Sequence, residues 1–176
     1  VYNHNCFFNL TDVGTTSHGI KIMINNEFMA ADIKIGLGAI TPHAFNGFGG
    51  GCKIVLPGIA GFDTNVENHK VELSRVMLNR DRPFYECHGN LQYTGVREDE
   101  EEAAMLAGLD FKVDALMNSN CEIIDAYCGH PIKEYYEGIK KAQVIYNTPH
   151  LDKAEVVIVN ANAKANEATF AVNIGA

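Results

Sequence analysis

The chain has 176 residues and 47% of them are apolar, so it is long and apolar enough to bury the core of about one domain. Acidic side chains outnumber basic ones 22 to 14, and the resulting net charge of −8 excludes a basic face for binding nucleic acid. The longest apolar runs, such as Val156 to Val159, are far shorter than the ~20 residues that span a bilayer, which argues against a membrane span.

The two ends of the chain indicate a piece of a longer protein. The sequence opens at Val1 with no basic or apolar leader, and it stops at Ala176 with no capping or terminating signal. We therefore expect this chain to be part of something longer.

The cysteines favour a reducing compartment. Their number is five, which is odd, and none stands in a C-x-x-C motif, so we expect a cytoplasmic protein with free thiols. Cys121, Cys128 and His130 could in principle bind zinc. Six residues separate the two cysteines, however, where two to four are usual, which favours small buried side chains over a metal site.

The first half of the chain predicts two strands, a loop and a helix. Alternation of apolar and polar residues indicates strands over Gly19–Asn25 and Ala31–Gly38. The glycine-rich stretch Gly47–Lys53 predicts a loop or the start of a helix. Apolar residues at helical spacing predict a helix over 63–76, capped by Asp63 or by the threonine after it.

A second helix is predicted to follow a loop or hinge over residues 79–97. It begins at Glu98 with five acidic residues, which complement the helix dipole, and Gly108 closes it. We interpret the acidic run as a solvated helix N-terminus and not as a cation site.

The second half of the chain continues with strands and helices. Two alternating strands, Phe111–Met117 and Glu122–Tyr127, are predicted to form a hairpin. A helix follows Pro131, in which Tyr135 and the tyrosine after it occupy the core and the surface. A buried strand at Ala154–Asn160 precedes a last helix.

These elements predict an α/β fold of mixed sheets flanked by helices, with parts of two domains of a larger two-domain protein. We expect residues 1–80 to be the end of the N-terminal domain, which contains the candidate catalytic and cofactor-binding residues described below. Residues 81–176 would then begin a C-terminal α/β domain.

The residues most suggestive of chemistry cluster between His43 and His69. An imidazole follows a strand, a run of glycines allows close backbone approach, and Lys53 and Asn68-His69 come next. Consecutive glycine N–H groups could cradle a phosphate. The pattern is not a Walker A loop, because that motif would need glycine and serine or threonine where Cys52 and Ile54 stand.

This segment resembles the signature of the nickel-pincer lactate racemase family. The resemblance rests on His43, the run Gly-Phe-Gly-Gly-Gly-Cys before Lys53, the run Lys-Ile-Val-Leu-Pro-Gly that begins at Lys53, and Asn68-His69. The order of the flanking elements extends it over nearly the whole chain. Members of that family racemise 2-hydroxy acids by hydride transfer to a nickel pincer nucleotide, a pyridinium dithiocarboxylate mononucleotide bound to lysine.

The resemblance assigns roles to individual residues. It implies that Lys53 carries the cofactor covalently, that His69 binds the nickel, and that His43 is one of two general acid–base histidines. Lys164 matches a further lysine that contacts the cofactor. The glycines at positions 49, 50 and 51 would leave room for the planar cofactor.

The sequence also departs from the family pattern. No segment before His43 contains the His-Arg motif of the second catalytic histidine, so the second base is expected upstream of this chain. Gly49 stands where the family carries serine, and Ala163 stands where relatives often carry proline.

The resemblance implies a racemase or epimerase of lactate-like 2-hydroxy acids, which is expected to be inactive as an isolated fragment because one base is absent. Its expected partners are the small substrate and the proteins that synthesise the cofactor, with no nucleic acid and no membrane. The alternative is a non-catalytic metal- or nucleotide-binding fragment. Use of the same cofactor on a different hydroxy-substrate is a third reading.

Overall fold

Small sheets and helices alternate along the described part of the chain. The computed structural model describes residues 1–43, 46–78, 89, 95–147 and 155–156. The predicted strand at 154–160 and the helix after it therefore lie outside the described residues. The elements in chain order are β1 Leu10–Thr15, β2 Lys21–Asn25, α1 Asn26–Met29, β3 Ile35–Ala39, β4 Pro42–His43, β5 Gly47–Phe48, a 3-10 turn Gly51–Ile54, α2 Phe62–Leu78, α3 Gly95–Leu106, β6 Phe111–Met117, β7 Ile123–Gly129 and α4 Lys133–Ile145.

The first two predicted strands are present with changed bounds. β2 lies within the predicted strand and pairs antiparallel with β1. The second predicted strand is β3, which begins only at Ile35. The chain before it forms the short helix α1, because the Asn25 side chain accepts hydrogen bonds from the N–H groups of Glu27 and Phe28. This helix turns the chain before β3 and was not predicted.

The main sheet has the order β3-β6-β7 and is mixed, as expected for the predicted fold class. β3 runs parallel to β6, and β6 forms an antiparallel hairpin with β7. Helix α4 packs on β6 and β7. The predicted α/β fold of mixed sheets flanked by helices is confirmed.

The three long helices are also confirmed. α2 covers the predicted range, and α3 begins at Gly95, three residues before its predicted start. Gly108 has φ +71° and ends α3, as predicted, because this left-handed conformation is easy only for glycine. The N–H of Leu109 closes the turn on the Ala104 carbonyl.

Two apolar clusters hold the glycine-rich segment between them. Cys52 and Val55 belong to a cluster with the isoleucines of β2 and the alanines of α3. Phe48 belongs to a second cluster with Ile40, Leu116 and residues of α4. Because the segment is buried on both sides, its backbone has a defined path at the junction of the two clusters.

Residues on both sides of the predicted boundary at 80 share one sheet, since β3 pairs with β6, and residues 1–146 form one compact unit. Where the domains of a larger enzyme divide stays a prediction. In the described residues, every helix is too short or too polar to cross a membrane.

Candidate active site

The glycine-rich loop owes its glycines to the protein core. Gly50 and Gly51 have φ values of +85° and +57°, which other residues rarely adopt. A β-carbon on Gly50 would lie 2.9 Å from the Ala39 carbonyl oxygen, and one on Gly51 would lie 2.8 Å from the Tyr135 ring. These contacts explain both glycines by packing, so their part in binding a cofactor, like that of Gly49, stays a prediction.

Side chains from two other elements fix the backbone of this loop. Arg97 of α3 donates to the carbonyl oxygens of Phe48 at 2.6 Å and Gly50 at 3.2 Å. Asp114 of β6 accepts the N–H of Gly51 at 2.5 Å. Because that N–H already has a protein acceptor, the structure gives no support to a phosphate cradle that uses it.

Lys53 follows the loop in the 3-10 turn and meets a buried carboxylate. Its Nζ lies 3.5 Å from Glu100 Oε1, and its side chain is 17% exposed. Asn46 donates to the same oxygen at 2.5 Å, while Arg97 lies 3.1 Å from Glu100 Oε2. The amino group is thus partly accessible and held by a carboxylate that is itself fixed.

The acidic start of α3 differs from its prediction. Glu98 is exposed as expected, but Asp99 and Glu100 are fully buried. Asp99 Oδ1 lies 3.1 Å from His18 Nδ1, within hydrogen-bond distance. Glu100 forms ion pairs with Lys53 and Arg97. The interpretation of this run as a solvated N-terminus is therefore wrong for the two residues that face the rest of the protein.

His43 at the end of β4 is connected to the same network. Its Nδ1 accepts a hydrogen bond from the backbone N–H of Asn46 at 3.2 Å. In the neutral ring the proton therefore resides on Nε2, which can donate a hydrogen bond. Asn46 links this histidine to Glu100, and through Glu100 to Lys53.

His69 on α2 has the opposite tautomer. Its Nδ1 lies 2.8 Å from the Asn65 carbonyl oxygen, which can only accept, so Nδ1 carries the proton. The neutral ring then has its lone pair on Nε2. Histidines that bind metals commonly donate their other ring N–H to a backbone carbonyl in this way.

A second buried ionic cluster lies behind the loop. Lys112 and Asp114 are fully buried and form an ion pair, and both carboxylate oxygens of Glu134 are buried without a partner among the described residues. Burial, followed by the negative charge of Asp114, raises the pKa of Glu134 to about 8. Asp114 connects this cluster to Gly51 and so to the loop.

The remaining predicted ligands are only partly described. Lys164 lies outside the described residues, so its assignment stays a prediction. In the part of the chain that the structure describes, no group of three or more His, Cys, Asp or Glu side chains is arranged to hold a metal ion.

Sequence reasoning missed Asn46, Arg97, Glu100 and Asp114. The residues that lie nearest to Lys53 come from segments far away in sequence, so spacing along the chain could not find them. The one available signal was the pair Arg97 and Glu100, which stand three apart and so share a helix face.

The described fold is similar to that of lactate racemases. Residues 1–78 match the family described as "Lactate racemase N-terminal domain". The chain is 32% identical over 152 residues to a lactate racemase of Thermoanaerobacterium thermosaccharolyticum, covering 86% of this chain and 34% of that protein. It is 29% identical over 143 residues to a lactate racemase of Lactiplantibacillus plantarum, covering 81% and 32%.

Solved structures agree with this similarity. The lactate racemase apoprotein of T. thermosaccharolyticum superimposes with a TM-score of 0.68 at 31% identity, over 78% of this chain and 32% of that one. A Thermotoga maritima protein shares the fold alone, with a TM-score of 0.63 at 21% identity over 81% of this chain and 38% of that one. The chain is thus similar to members of the lactate racemase family, and it spans about a third of the length of the curated relatives that it matches.

Proposed function

We propose that this chain is the cofactor-attachment and acid–base segment of a racemase or epimerase that acts on lactate-like 2-hydroxy acids. The observation that carries the proposal is the placement of Lys53. Its amino group stands after a backbone-fixed glycine loop, beside buried Glu100, and is connected through Asn46 to His43. An ordinary surface lysine has no need of such support.

The residues present are suited to a nickel pincer nucleotide attached to Lys53. His69 donates its Nδ1–H to a backbone carbonyl, as metal-binding histidines commonly do, and the Lys53 amine is partly exposed. Asn46 Oδ1 is buried without a hydrogen-bond partner among the described residues, so a donor on a bound group would satisfy it. When bound, the nucleotide would supply the acceptor for hydride from the substrate α-carbon.

His43 would handle the proton of the substrate hydroxyl. In the tautomer described, Nδ1 accepts the Asn46 N–H and the ring proton is on Nε2, the nitrogen that we assign to the substrate hydroxyl. To take up a proton, the ring must release that hydrogen bond. His43 can serve one face of the substrate, and the second acid–base group needed for inversion is expected from a segment outside this chain.

The proposed partners follow from this chemistry. They are a small 2-hydroxy acid and the cofactor-synthesis proteins that would modify Lys53. We place the protein in the cytoplasm, and the four cysteines of the described residues, all free thiols, support a reducing compartment.

The test is to produce the intact protein that contains this chain together with the cofactor-synthesis proteins and nickel. We expect a mass increment on the peptide containing Lys53, bound nickel, and racemisation of lactate followed by polarimetry. Lys53→Arg should lose all three, whereas Lys70→Arg, an exposed control, should keep them. An unmodified Lys53 in protein without nickel would refute the proposal.

Two further variants separate the roles of the histidines. His69→Ala should keep the mass increment and lose nickel, and His43→Ala should keep both and lose racemisation. The chain alone, without the rest of the protein, should not racemise lactate. Equal turnover by His43→Ala and the unmodified sequence would remove His43 from the proposed mechanism.

A further inference from the structure

We propose that Glu100 is the positioning residue for the Lys53 amino group, and that Asn46 holds its carboxylate in place. This inference rests on the proposed function for the role of Lys53 as the site of cofactor attachment. The contacts of Glu100 with Lys53 and Asn46 are observed in the structure and do not depend on that function. The direct basis of the inference is the pair Lys53 Nζ and Glu100 Oε1, 3.5 Å apart, with the carboxylate fully buried and the lysine partly exposed.

Glu100 cannot easily move away from this position. Asn46 donates to Oε1, and the Arg97 guanidinium lies 3.1 Å from Oε2. Arg97 is itself fixed by its bonds to Phe48 O and to the Tyr135 hydroxyl, both at 2.6 Å. A carboxylate with a hydrogen bond at one oxygen and a cation beside the other has restricted rotamers, so it limits where a partner that approaches Oε1 can lie.

The charges around Lys53 are compatible both with its protonated amine and with the neutral nitrogen that would remain after cofactor attachment. With Lys53 protonated, two cations, Lys53 and Arg97, share the single carboxylate of Glu100. After attachment of a cofactor the Lys53 nitrogen is neutral, and Arg97 and Glu100 remain as a balanced pair. The attached nitrogen would keep an N–H that can donate to Oε1 on a closer approach than the present 3.5 Å, so Glu100 would orient the amine before attachment and the linkage afterwards.

The same carboxylate connects two residues with different tasks. Asn46 uses its side chain for Glu100 and its backbone N–H for His43 Nδ1. A change at Glu100 is therefore expected to act directly on Lys53 and Arg97, and on His43 only through Asn46. A positioning role is separated from a general effect on the fold by measuring the Lys53 amine itself.

The first test measures the amine without any cofactor. The intact protein is treated with N-hydroxysuccinimidyl acetate, in which the amine attacks the ester carbonyl, an N–C bond forms, the C–O bond to the succinimidyl oxygen breaks, and the amine proton passes to solvent. Peptide mass mapping gives the rate at Lys53 relative to exposed Lys70. We expect Glu100→Gln to raise this ratio about threefold, because the amine is released from its ion pair.

The matched control is Glu98→Gln. Glu98 lies on the same helix, is 65% exposed and pairs with His18 instead of Lys53, so the ratio should stay at the unmodified value. Should Glu100→Gln fail to fold, Glu100→Asp keeps the charge for Arg97 and withdraws the carboxylate from Lys53 by one methylene. It should raise the ratio in the same direction. An unchanged ratio in whichever of the two variants folds overturns the proposal.

The second test measures attachment. In cells with the cofactor-synthesis proteins, the fraction of Lys53 that carries the mass increment should fall about threefold or more in Glu100→Gln and remain unchanged in Glu98→Gln. Full attachment in Glu100→Gln would contradict the positioning role. If unmodified protein carries no increment either, the proposed function fails, while the acetylation ratios still decide whether Glu100 holds Lys53.

Discussion

The Asp114 carboxylate accepts the backbone N–H of Gly51 at 2.5 Å, two residues before Lys53. Arg97 binds the carbonyl oxygens of Phe48 and Gly50 in the same loop. The backbone that presents Lys53 is therefore fixed at three polar groups by side chains from a helix and a strand. A reactive group on such a support needs little ordering when its partner binds, since its main chain is already in place.

Removing the guanidinium should destabilise the protein strongly. Arg97→Met leaves buried Glu100 without its guanidinium partner and removes one donor from each of two loop carbonyls. We expect the free energy of unfolding to fall by about 3–5 kcal/mol, measured by urea denaturation. Lys140→Met, which removes an exposed ion pair with Glu137, should cost about 0.5 kcal/mol or less. Similar losses in both variants would contradict the structural role of Arg97.

Two left-handed glycines allow backbone strain and packing to be separated. Gly51→Ala adds a methyl group 2.8 Å from the Tyr135 ring, whereas Gly108→Ala has nothing within 4 Å. Both have positive φ, so both should lose about 1 kcal/mol from strain. Gly51→Ala should lose a further ~1–3 kcal/mol by overpacking, seen as a lower melting temperature than that of Gly108→Ala. Equal melting temperatures would show that the loop yields to the added carbon.

The sequence predicted elements better than it predicted faces. The two-residue period predicted for β6 is present. Hydrophobicity alone would place Phe111 and Val113 on the buried face of this strand. In the structure Lys112 and Asp114 are buried instead, and Phe111 is 40% exposed. The polar face is inside because Lys112 and Asp114 neutralise each other and Asp114 also binds the loop. Periodicity contains no information about such partners, since they come from distant segments.

For the candidate site, the sequence indicated the glycine-rich loop with His43 and Lys53, but not the buried ionic network that holds the loop and Lys53 in place. The spacing of His43 and Lys53 was sufficient for the resemblance. Glu100 could not be recognised because acidic residues at a helix start are usually solvated, and only the tertiary packing of α3 on the 3-10 turn buries this one. The family resemblance and the fold were therefore accessible, and the ionic network was not.

Thiol reactivity gives a simple check of burial beside Lys53. Burial raises the pKa of the Cys52 thiol to about 12, and its side chain belongs to the core. In the native protein, iodoacetamide near pH 8 should alkylate exposed Cys121 and leave Cys52 unmodified, as read by peptide mass mapping. In urea both should react. Native alkylation of Cys52 at the rate of Cys121 would place it outside the core.

Stability should depend on pH through Glu134. Burial, together with the charge of Asp114, raises the pKa of this carboxyl from 4.5 to about 8, and Lys112 only partly opposes the effect. Between these two values the folded protein binds a proton that the unfolded chain has lost, so the contribution of Glu134 to stability falls as the pH rises from about 4.5 to 8 and is constant above.

Glu134→Gln mimics the protonated carboxyl and should remove this dependence. Relative to the unmodified sequence, we expect the variant to become more stable by about 4 kcal/mol as the pH rises from 5 to 8.5, measured as the difference in unfolding free energy at each pH. Glu137→Gln is the control on the same helix, where the carboxylate is exposed and pairs with Lys140. A stability difference for Glu134→Gln that does not change with pH would mean that Glu134 is ionised in the folded protein, and that water or the Lys112 ammonium compensates its charge.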